Sequence, residues 1–385
     1  VTRLGSDRAA RCSDCHGAHD IRPSDDPASR LYGLNRIETC AKCHPGANAN
    51  FAAFHPHADF RDGSRFPLLN GIWWYFIVLM SVTFSFWGLH TAAWFVRSIV
   101  ERIKHGPHPK PRPAAYAIAR FKLIDRVNHA LIIITFFGLT LTGMPLFFSD
   151  KPWAAMLAGA LGGVQACGVL HRVFAVMLIG NVVVHLFGLL NRARRTSIPN
   201  IISGPNSMVP LWKDVQDFKG MLAWFFRGKA KPRFDHFTYW EKFDYWAEVF
   251  GTAVIGGTGL MLWFPELFAR FMPGWMFNVA VIVHGYEALL AVGFIFSIHF
   301  FNAHLRLEKF PVDDVIFTGQ LPEDEFAHER GEEYDRLKAA GTLETLRVPT
   351  RPAHYRVLAV LGGLLAMLVG SAMVLLIILA GLGIV

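Results

Sequence analysis

The stretch LHRVFAVMLIGNVVVHLFGLL, residues 170 to 190, decides the fold. Apart from Arg172 it carries no Lys, Arg, Asp or Glu. A helix of roughly 20 apolar residues can cross a hydrocarbon core of about 30 Å, so the stretch predicts a transmembrane helix. His171 and His185 interrupt the apolar run. Ionisable side chains at bilayer depth are costly, and we therefore expect these two to have a function.

The rest of the chain is similarly apolar, with 52% hydrophobic and 18% charged residues among 385. That composition is unusual for a soluble protein. No strand-like alternation competes with helix in the apolar segments, and an open sheet would leave unpaired backbone groups in lipid. We therefore expect an all-α membrane protein with six transmembrane helices. The segments lie near 70 to 97, 123 to 148, 169 to 190, 246 to 265, 277 to 301 and 356 to 380.

Basic residues predict the orientation of these helices, because loops retained in the cytoplasm accumulate Lys and Arg. The loops at 97 to 122 and 192 to 227 are rich in both, whereas the opposite loops contain only Lys151 and Arg270. The formal charge of +8 is thus a sign of topology and not of nucleic-acid binding. The pattern predicts a bacterial inner-membrane protein whose residues 1 to 68 and C-terminus lie on the periplasmic side.

The same patterns divide the chain into a loop-rich periplasmic domain, a first membrane helix, a linker, a four-helix unit, an acidic cytoplasmic segment and a last helix. The Pro-rich basic stretch 103 to 115 predicts a linker that is not helical throughout. The acidic stretch LPEDEFAHERGEEYDRLKAA predicts a solvated helix. The predicted boundaries are 1–68, 69–104, 105–119, 120–305, 306–355 and 356–385.

Two motifs in the first domain have the form Cys-x-x-Cys-His: RCSDCHGAHD spans residues 11 to 20, and CAKCH spans 40 to 44. Two cysteines at this spacing can form thioethers with both vinyl groups of a haem, and the next histidine can ligate the iron. Since residue 1 is Val and no export signal precedes the motifs, further c haems upstream are left open. The fifth cysteine, Cys167, is expected to be a packed side chain. The motifs predict at least two c-type haems, on Cys12, Cys15 and His16 and on Cys40, Cys43 and His44.

A zinc site is the main alternative for the four cysteines, because two Cys-x-x-Cys pairs also suit tetrahedral thiolate coordination. The histidine after each pair favours haem. Each iron then needs a sixth ligand, and His19, His55 and His57 are the available imidazoles. The stretches CHGAH and FHPHAD resemble the bis-histidine multihaem cytochromes of the tetrahaem quinol-dehydrogenase kind. The resemblance implies that such histidines ligate a neighbouring haem.

Two matched histidine spacings lie within the membrane segments. His171 and His185 are 14 residues apart in the third segment. His284 and His299 are 15 residues apart in the fifth. At about 100° and 1.5 Å per residue, each pair falls near one helix face, about 21 to 22 Å apart along the axis. The two helices run in the same direction because one crossing separates them, so this geometry predicts a bundle with two b-type haems. Polar packing between helices is the alternative.

The second segment begins with FKLIDRVNHALIIITFFGLTLTGMPL, in which Arg126 and His129 form an Arg-x-x-His motif. The motif resembles the first helix of the b-type cytochrome subunits of membrane-bound formate dehydrogenases and hydrogenases. The resemblance covers the four-helix unit. It implies one haem between His171 and His284 and a second between His129 and His299.

The sequence departs from that family in two ways. His185 is additional, and the interval from His284 to His299 is one residue longer than expected. The two spacings instead resemble cytochrome b of bc complexes, which implies His185 as the inner ligand. We favour His129 with His299, because the helix-start motif and the helix order agree. His90 in the first segment reaches a similar depth and leaves a third b haem open.

Four acidic residues are candidates for handling protons or quinone near these sites. Glu287 lies one turn after His284, with a hydrogen bond to a neighbouring helix as the alternative. The other three border the inner site. The alternative for them is that they are ordinary charged side chains at the level of the lipid headgroups. They are Asp125, Asp244 and Glu248.

A line of one-electron carriers in a membrane needs a lipid-soluble two-electron partner, and quinone has that chemistry. We therefore expect a subunit of a larger complex that oxidises quinol and passes electrons through b and c haems. The acceptor would be a periplasmic multihaem cytochrome or catalytic oxidoreductase subunit. The alternative direction is quinone reduction fed by a periplasmic dehydrogenase or hydrogenase, as the family resemblance implies. An alternative of another class is a non-redox membrane anchor with a zinc-binding ectodomain.

Overall fold

The computed structural model describes residue 4 and residues 9–106 and 115–384. Residues 107–114, the centre of the predicted linker, lie outside the described residues. The chain is mainly helical, in agreement with the all-α prediction. The helices are α1 Cys12–His16, α2 Gly33–Ala41, α3 Ala49–Ala52, α4 Pro67–His105, α5 Leu123–Phe147, α6 Pro152–Ala160, α7 Val164–Arg195, α8 Ile198–Ser203, α9 Trp212–Arg227, α10 Tyr239–Trp263, α11 Pro265–Phe268, α12 Trp275–Phe294, α13 Val315–Thr318, α14 Glu323–Glu329, α15 Gly331–Ala339 and α16 Ala353–Gly381.

Five of the described helices are long and apolar enough to cross a membrane: α4, α5, α7, α12 with its continuation to Leu305, and α16. The exposed side chains of these helices are apolar, like the buried ones. In the most hydrophobic window of α7, only 6% of the residues are buried within the protein. Such a surface is suited to lipid and not to water. The chain is therefore a multi-pass membrane protein.

The predicted span at 246 to 265 is helical, within α10, but it is not among these five. The first turns of α10 contain Glu241, Lys242, Asp244 and Glu248, and its apolar part contains repeated Gly and Thr. Both features lower its hydropathy. A sixth span therefore stays a prediction.

The helix that begins at Trp275 changes its winding near its C-terminal end. It is α-helical to Phe294, and two π-helical turns follow at Ile295–His299 and Phe301–Leu305. A π turn accommodates one additional residue within a helix and is often found at functional sites. The first π turn ends at His299, so it gives a physical account of the long interval between His284 and His299.

The described residues before α4 form three short helices joined by turns, as their turn-forming composition predicts. Asn48 caps α3, because its side chain accepts a hydrogen bond from Phe51 N at 2.9 Å. Among the described residues before α4, Ala52 alone is a buried apolar side chain. A domain of this size with so small a core generally needs cross-links or a bound metal for stability.

Three short strands were not expected from the sequence. They are β1 Tyr116–Ala119, β2 Gln320–Leu321 and β3 Arg347–Pro349. The order is β2-β1-β3 with both pairs antiparallel, and Ile118 is opposite Leu321 on one side and Arg347 on the other. The sheet ties the chain before α5 to the segment between Leu305 and α16.

Within that segment, residues 306–352, the acidic stretch 321–340 is helical as predicted, but it is not a single solvated helix. It contains α14 and α15, and Phe326 of α14 is 1% exposed and packs in a small core with Ile118. The prediction was wrong because the sheet offers an apolar face against which one side of these short helices is buried. Charge composition alone does not reveal that face.

Buried ion pairs stabilise the same segment. Lys309 is in contact with Asp313, Glu325 and Glu329 at 3.1, 2.6 and 2.9 Å. Burial alone would lower the pKa of Lys309, but these carboxylates outweigh it and hold the pKa above its ordinary value. Removal of one partner from such a buried cluster would leave uncompensated charge.

By their contacts the residues form two compact units. The first comprises 1–82, 140–171 and 250–291, and it includes His171 and His284. The second comprises 83–139, 172–249 and 292–385, and it includes the other candidate membrane histidines, which are His90, His129, His185 and His299.

Candidate functional site

His171 on α7 and His284 on α12 face each other in the first unit. Their ring centres are 6.3 Å apart and the rings are inclined at 74°. An imidazole nitrogen binds a metal at about 2.0–2.1 Å, and the ring centre lies about 1.2 Å further from the metal. Two imidazoles on opposite sides of one metal therefore have ring centres about 6.4 Å apart. The separation therefore fits a single metal ion held between the two rings.

The ring of His171 is oriented by α5. Thr142 Oγ1 lies 3.0 Å from His171 Nδ1, so a metal would be bound by Nε2. The next residue on α5 is Gly143, and a Cβ at this position would lie 2.9 Å from His171 Cε1. Glycine is therefore needed for the helix to approach the ring this closely.

The ring of His284 is oriented in the same way by α10. Its Nδ1 lies 3.0 Å from the Ile255 carbonyl oxygen and 3.3 Å from Thr258 Oγ1. A Cβ at Gly259 would lie 3.1 Å from His284 Cε1. Both histidines thus have Nδ1 engaged and a glycine beside the ring.

The residues that orient this pair were missed in the sequence. The signal that could have found them is a repeated Thr-Gly pair inside apolar helices, in LTGMPL at 141 to 146 and in GTGLML at 257 to 262. Glycine in a helix interior costs roughly 0.5–1 kcal/mol relative to alanine, so each glycine calls for a reason. Close approach of the imidazole is that reason.

The second unit contains His299 with an acidic partner. The Asp244 carboxylate accepts a hydrogen bond from His299 Nδ1 at 2.9 Å. A carboxylate in this position fixes the ring orientation and raises the basicity of the other nitrogen. Asp244 was predicted as a quinone-site residue, and its position makes it the orienting partner of His299. Glu248 acts on the same ring electrostatically.

His129 lies within electrostatic reach of His299 and of His304. Its ring meets Phe317 of the 306–352 segment edge-on, with ring centres 6.4 Å apart. Arg126 Nε donates to the Phe317 carbonyl oxygen at 2.8 Å. The Arg-x-x-His motif therefore joins α5 to the 306–352 segment, a contact that the sequence did not predict.

His304 was also missed in the sequence. It lies within the second π turn, is 9% exposed, and accepts a hydrogen bond from Asp313 N at 3.3 Å. Its presence five residues after His299 was the available signal. Its engagement with the backbone favours a packing role.

His185 and His90 are arranged differently from these pairs. His185 Nε2 lies 3.0 Å from the Tyr245 hydroxyl. His90 Nε2 lies 2.5 Å from the Tyr239 hydroxyl, and the ring is surrounded by Trp87, Trp94, Phe218 and Phe225. In both residues Nε2 is in contact with a tyrosine hydroxyl.

Both Cys-x-x-Cys-His motifs are wound as helical turns, which brings the histidine near its cysteines. The first forms α1, and the second ends α2 with His44 N donating to Cys40 O at 3.0 Å. No group of three or more His, Cys, Asp or Glu side chains within the described residues converges as a metal site.

The structure places the three candidate distal histidines differently. His57 lies opposite His16, with ring centres 6.2 Å apart and an interplanar angle of 29°. This separation again fits two imidazoles on one metal. His55 instead is held through its backbone by Asn278, at 2.9 and 3.0 Å. His19 is exposed in the turn after α1.

His44 has a carboxylate beside it. Its Nδ1 lies 2.7 Å from Glu266 Oε1 on α11, and its ring packs on Phe51 with centres 4.7 Å apart. The hydrogen bond from His44 holds the pKa of Glu266 below its ordinary value. Glu266 was not singled out in the sequence, because 222 residues separate it from His44.

Two predicted acidic residues remain. Glu287 Oε1 approaches α10 at Gly251, 3.3 Å from where a Cβ would be. Asp125 accepts a hydrogen bond from Lys122 N at 3.0 Å and thereby satisfies a backbone donor at the start of α5. The position of Asp125 favours a structural role at the helix end.

Comparison of the sequence with known protein families gave no match, and comparison with characterised proteins gave none either. The resemblance to b-type cytochrome subunits therefore stays a prediction. The function has to be argued from the residues and their geometry.

Proposed function

We propose that this chain is a membrane cytochrome with b-type and c-type haems that transfers electrons between the quinone pool and a redox partner outside the membrane. The observation that carries the proposal is the pairing of histidine rings. The pair His171 and His284 and the pair His16 and His57 have ring centres 6.3 and 6.2 Å apart. Each is close to the roughly 6.4 Å of two imidazoles on one metal.

The b haems would be held by two pairs of histidines. His171 and His284 hold the first, with their Nδ1 atoms engaged by threonine hydroxyls on α5 and α10. His129 and His299 hold the second, with Asp244 fixing the orientation of His299. Iron porphyrin bound at such sites supplies reversible one-electron exchange.

The c haems would be attached to the four cysteines of the first domain. His16 and His44 follow the cysteine pairs and supply the proximal ligands, and His57 supplies the distal ligand opposite His16. Thioether attachment would also stabilise a domain that buries very little apolar surface. The zinc alternative is less well supported, because a histidine follows each cysteine pair.

A hollow in the second unit is suited to a quinone. It has a volume of about 760 Å³ and lies between α4 and the π-helical end of α12. Its wall is mostly apolar and includes Phe95, Phe301 and Leu305, with Thr91 and Arg102 as polar members. A mostly apolar hollow with a few polar groups is typical of small-molecule sites.

Oxidation of one quinol releases two electrons and two protons, so side chains near the site must accept protons. Glu248, which lies in the same unit as the hollow, is the candidate for this role among the predicted acidic residues. Asp244 and Asp125 are engaged with His299 and with the start of α5, respectively.

The distribution of basic residues supports an orientation with six spans, α10 included. Residues 1–68 and the C-terminus then lie on the periplasmic side of a bacterial inner membrane, and the 306–352 segment lies in the cytoplasm. Electrons would leave through the c haems to a periplasmic multihaem cytochrome or oxidoreductase subunit of a larger complex. Flow in the opposite direction, from a periplasmic dehydrogenase to quinone, uses the same residues.

A pyridine haemochrome assay on the purified full chain tests the proposal. We expect two b haems and at least two c haems per chain, and reduction of the b haems by a menaquinol analogue under anaerobic conditions. A colourless protein that contains zinc would support the anchor alternative and contradict the proposal. Haems that quinol fails to reduce, but that reduce quinone when prereduced, would favour the opposite direction.

Replacement of Gly259 by leucine is expected to lower b-haem content, because even a Cβ would lie 3.1 Å from the His284 ring. The larger side chain has to displace the imidazole or the helix. Gly256 on the same helix has no atom within 4 Å of a Cβ, so Gly256→Leu is a matched control. The measurement is haem b per protein. Equal haem content in both variants would contradict close packing of Gly259 on a ligand.

A further inference from the structure

The second Cys-x-x-Cys-His motif is docked onto the loop that follows α10. Asn48 Nδ2 and Asn50 Nδ2 both donate to the Ala269 carbonyl oxygen at 3.0 Å. A Cβ at Gly46 would lie 3.0 Å from Glu266 Cβ, so glycine permits this approach. The loop is therefore held against the start of α3 and beside His44.

The docking brings a carboxylate to the proximal histidine of one motif. Glu266 Oε1 lies 2.7 Å from His44 Nδ1, which is within the range of a charge-assisted hydrogen bond. The side chains are 35% and 43% exposed, so water screens the interaction in part. The ring packs on Phe51, which limits its rotation.

The two motifs therefore differ in how their histidines are supported. His16 faces the ring of His57, whereas His44 has a carboxylate on its Nδ1 side. A carboxylate that accepts the Nδ1 proton raises the basicity of Nε2 and places negative charge near the metal. The oxidised iron carries one more positive charge than the reduced iron, so this arrangement stabilises the oxidised form.

We propose that Glu266 is a positioning residue for His44 that lowers the reduction potential of the c haem attached to Cys40 and Cys43. This inference rests on the proposed function, because it needs a haem at that motif. It goes beyond that function because it assigns different reduction potentials to the two c haems. The difference comes from Glu266, in the loop after α10. The carboxylate fixes the ring, and its charge makes reduction of this haem harder.

The test is a redox titration of the c-haem α-band in the full-length protein with Glu266→Gln. Glutamine keeps a hydrogen-bond acceptor but removes the charge. We expect the reduction equilibrium of one c haem to become about tenfold more favourable, which corresponds to about 59 mV for one electron. The c-haem content should stay unchanged.

Glu38→Gln is the matched control. Glu38 is exposed on α2, two residues before Cys40, and its replacement removes the same charge without touching His44. A clearly smaller shift in this variant supports a specific effect of Glu266. Equal shifts in both variants, or no shift in Glu266→Gln with haem present, would overturn the inference alone. Absence of thioether-bound haem from the unaltered protein would overturn the proposed function as well.

Discussion

Replacement of His284 by alanine is expected to remove one of the two b haems and to leave the c haems in place. His284 and His171 are the only protein ligands that we propose for this haem, and their ring separation of 6.3 Å leaves room for one metal between them. An imidazole removed from a two-histidine site cannot be replaced by the neighbouring Thr258, which contacts Nδ1. The measurement is b and c haem per protein by pyridine haemochrome.

His90→Phe is the control for this experiment. It removes another membrane histidine but keeps an aromatic ring among Trp87, Trp94 and Phe218. Both b haems should remain, because His90 Nε2 is engaged by Tyr239. Retention of both b haems in His284→Ala would show that this pair does not hold a cofactor.

His129→Ala is expected to remove the other b haem, whereas His185→Ala should retain both. His129 is within electrostatic reach of His299, whose orientation is fixed by Asp244. His185 instead has its Nε2 at 3.0 Å from the Tyr245 hydroxyl. The two variants thus decide between the two ligand sets that the sequence left open. The measurement is the b-haem α-band at low temperature together with haem b per protein.

The reverse pattern, with haem lost in His185→Ala and kept in His129→Ala, would make His185 the ligand. It would favour the arrangement of cytochrome b in bc complexes. Loss of haem in both variants would indicate that the fold of this unit depends on both side chains. That outcome would leave the assignment of His129 without support.

The membrane helices were predictable because their signal is local. A run of apolar side chains satisfies its own backbone hydrogen bonds in a helix, whatever surrounds it. The weakest prediction was the span in α10, where polar residues and glycines interrupt the run. Those residues have functions in three dimensions: Asp244 meets His299, and Gly259 makes room for His284.

The segment 306–352 shows the limit of such reasoning. Its charges predicted a solvated helix, yet Lys309 and Phe326 are buried. Whether a charged side chain is buried depends on partners far along the chain, such as the strand β1 and the carboxylates around Lys309. The amino-acid composition of the segment does not identify those partners.

The sequence by itself determined the helical membrane character, the two Cys-x-x-Cys-His motifs and the set of candidate histidines. These follow from hydropathy and from spacings within a single helix or motif. Only the tertiary structure decided which histidines pair, which ones meet tyrosine, and which side chains orient the rings. The physical reason is that two facing histidines and the hydrogen bonds that orient them join different helices. Their distances of 3 to 6 Å are set by packing and not by separation along the chain.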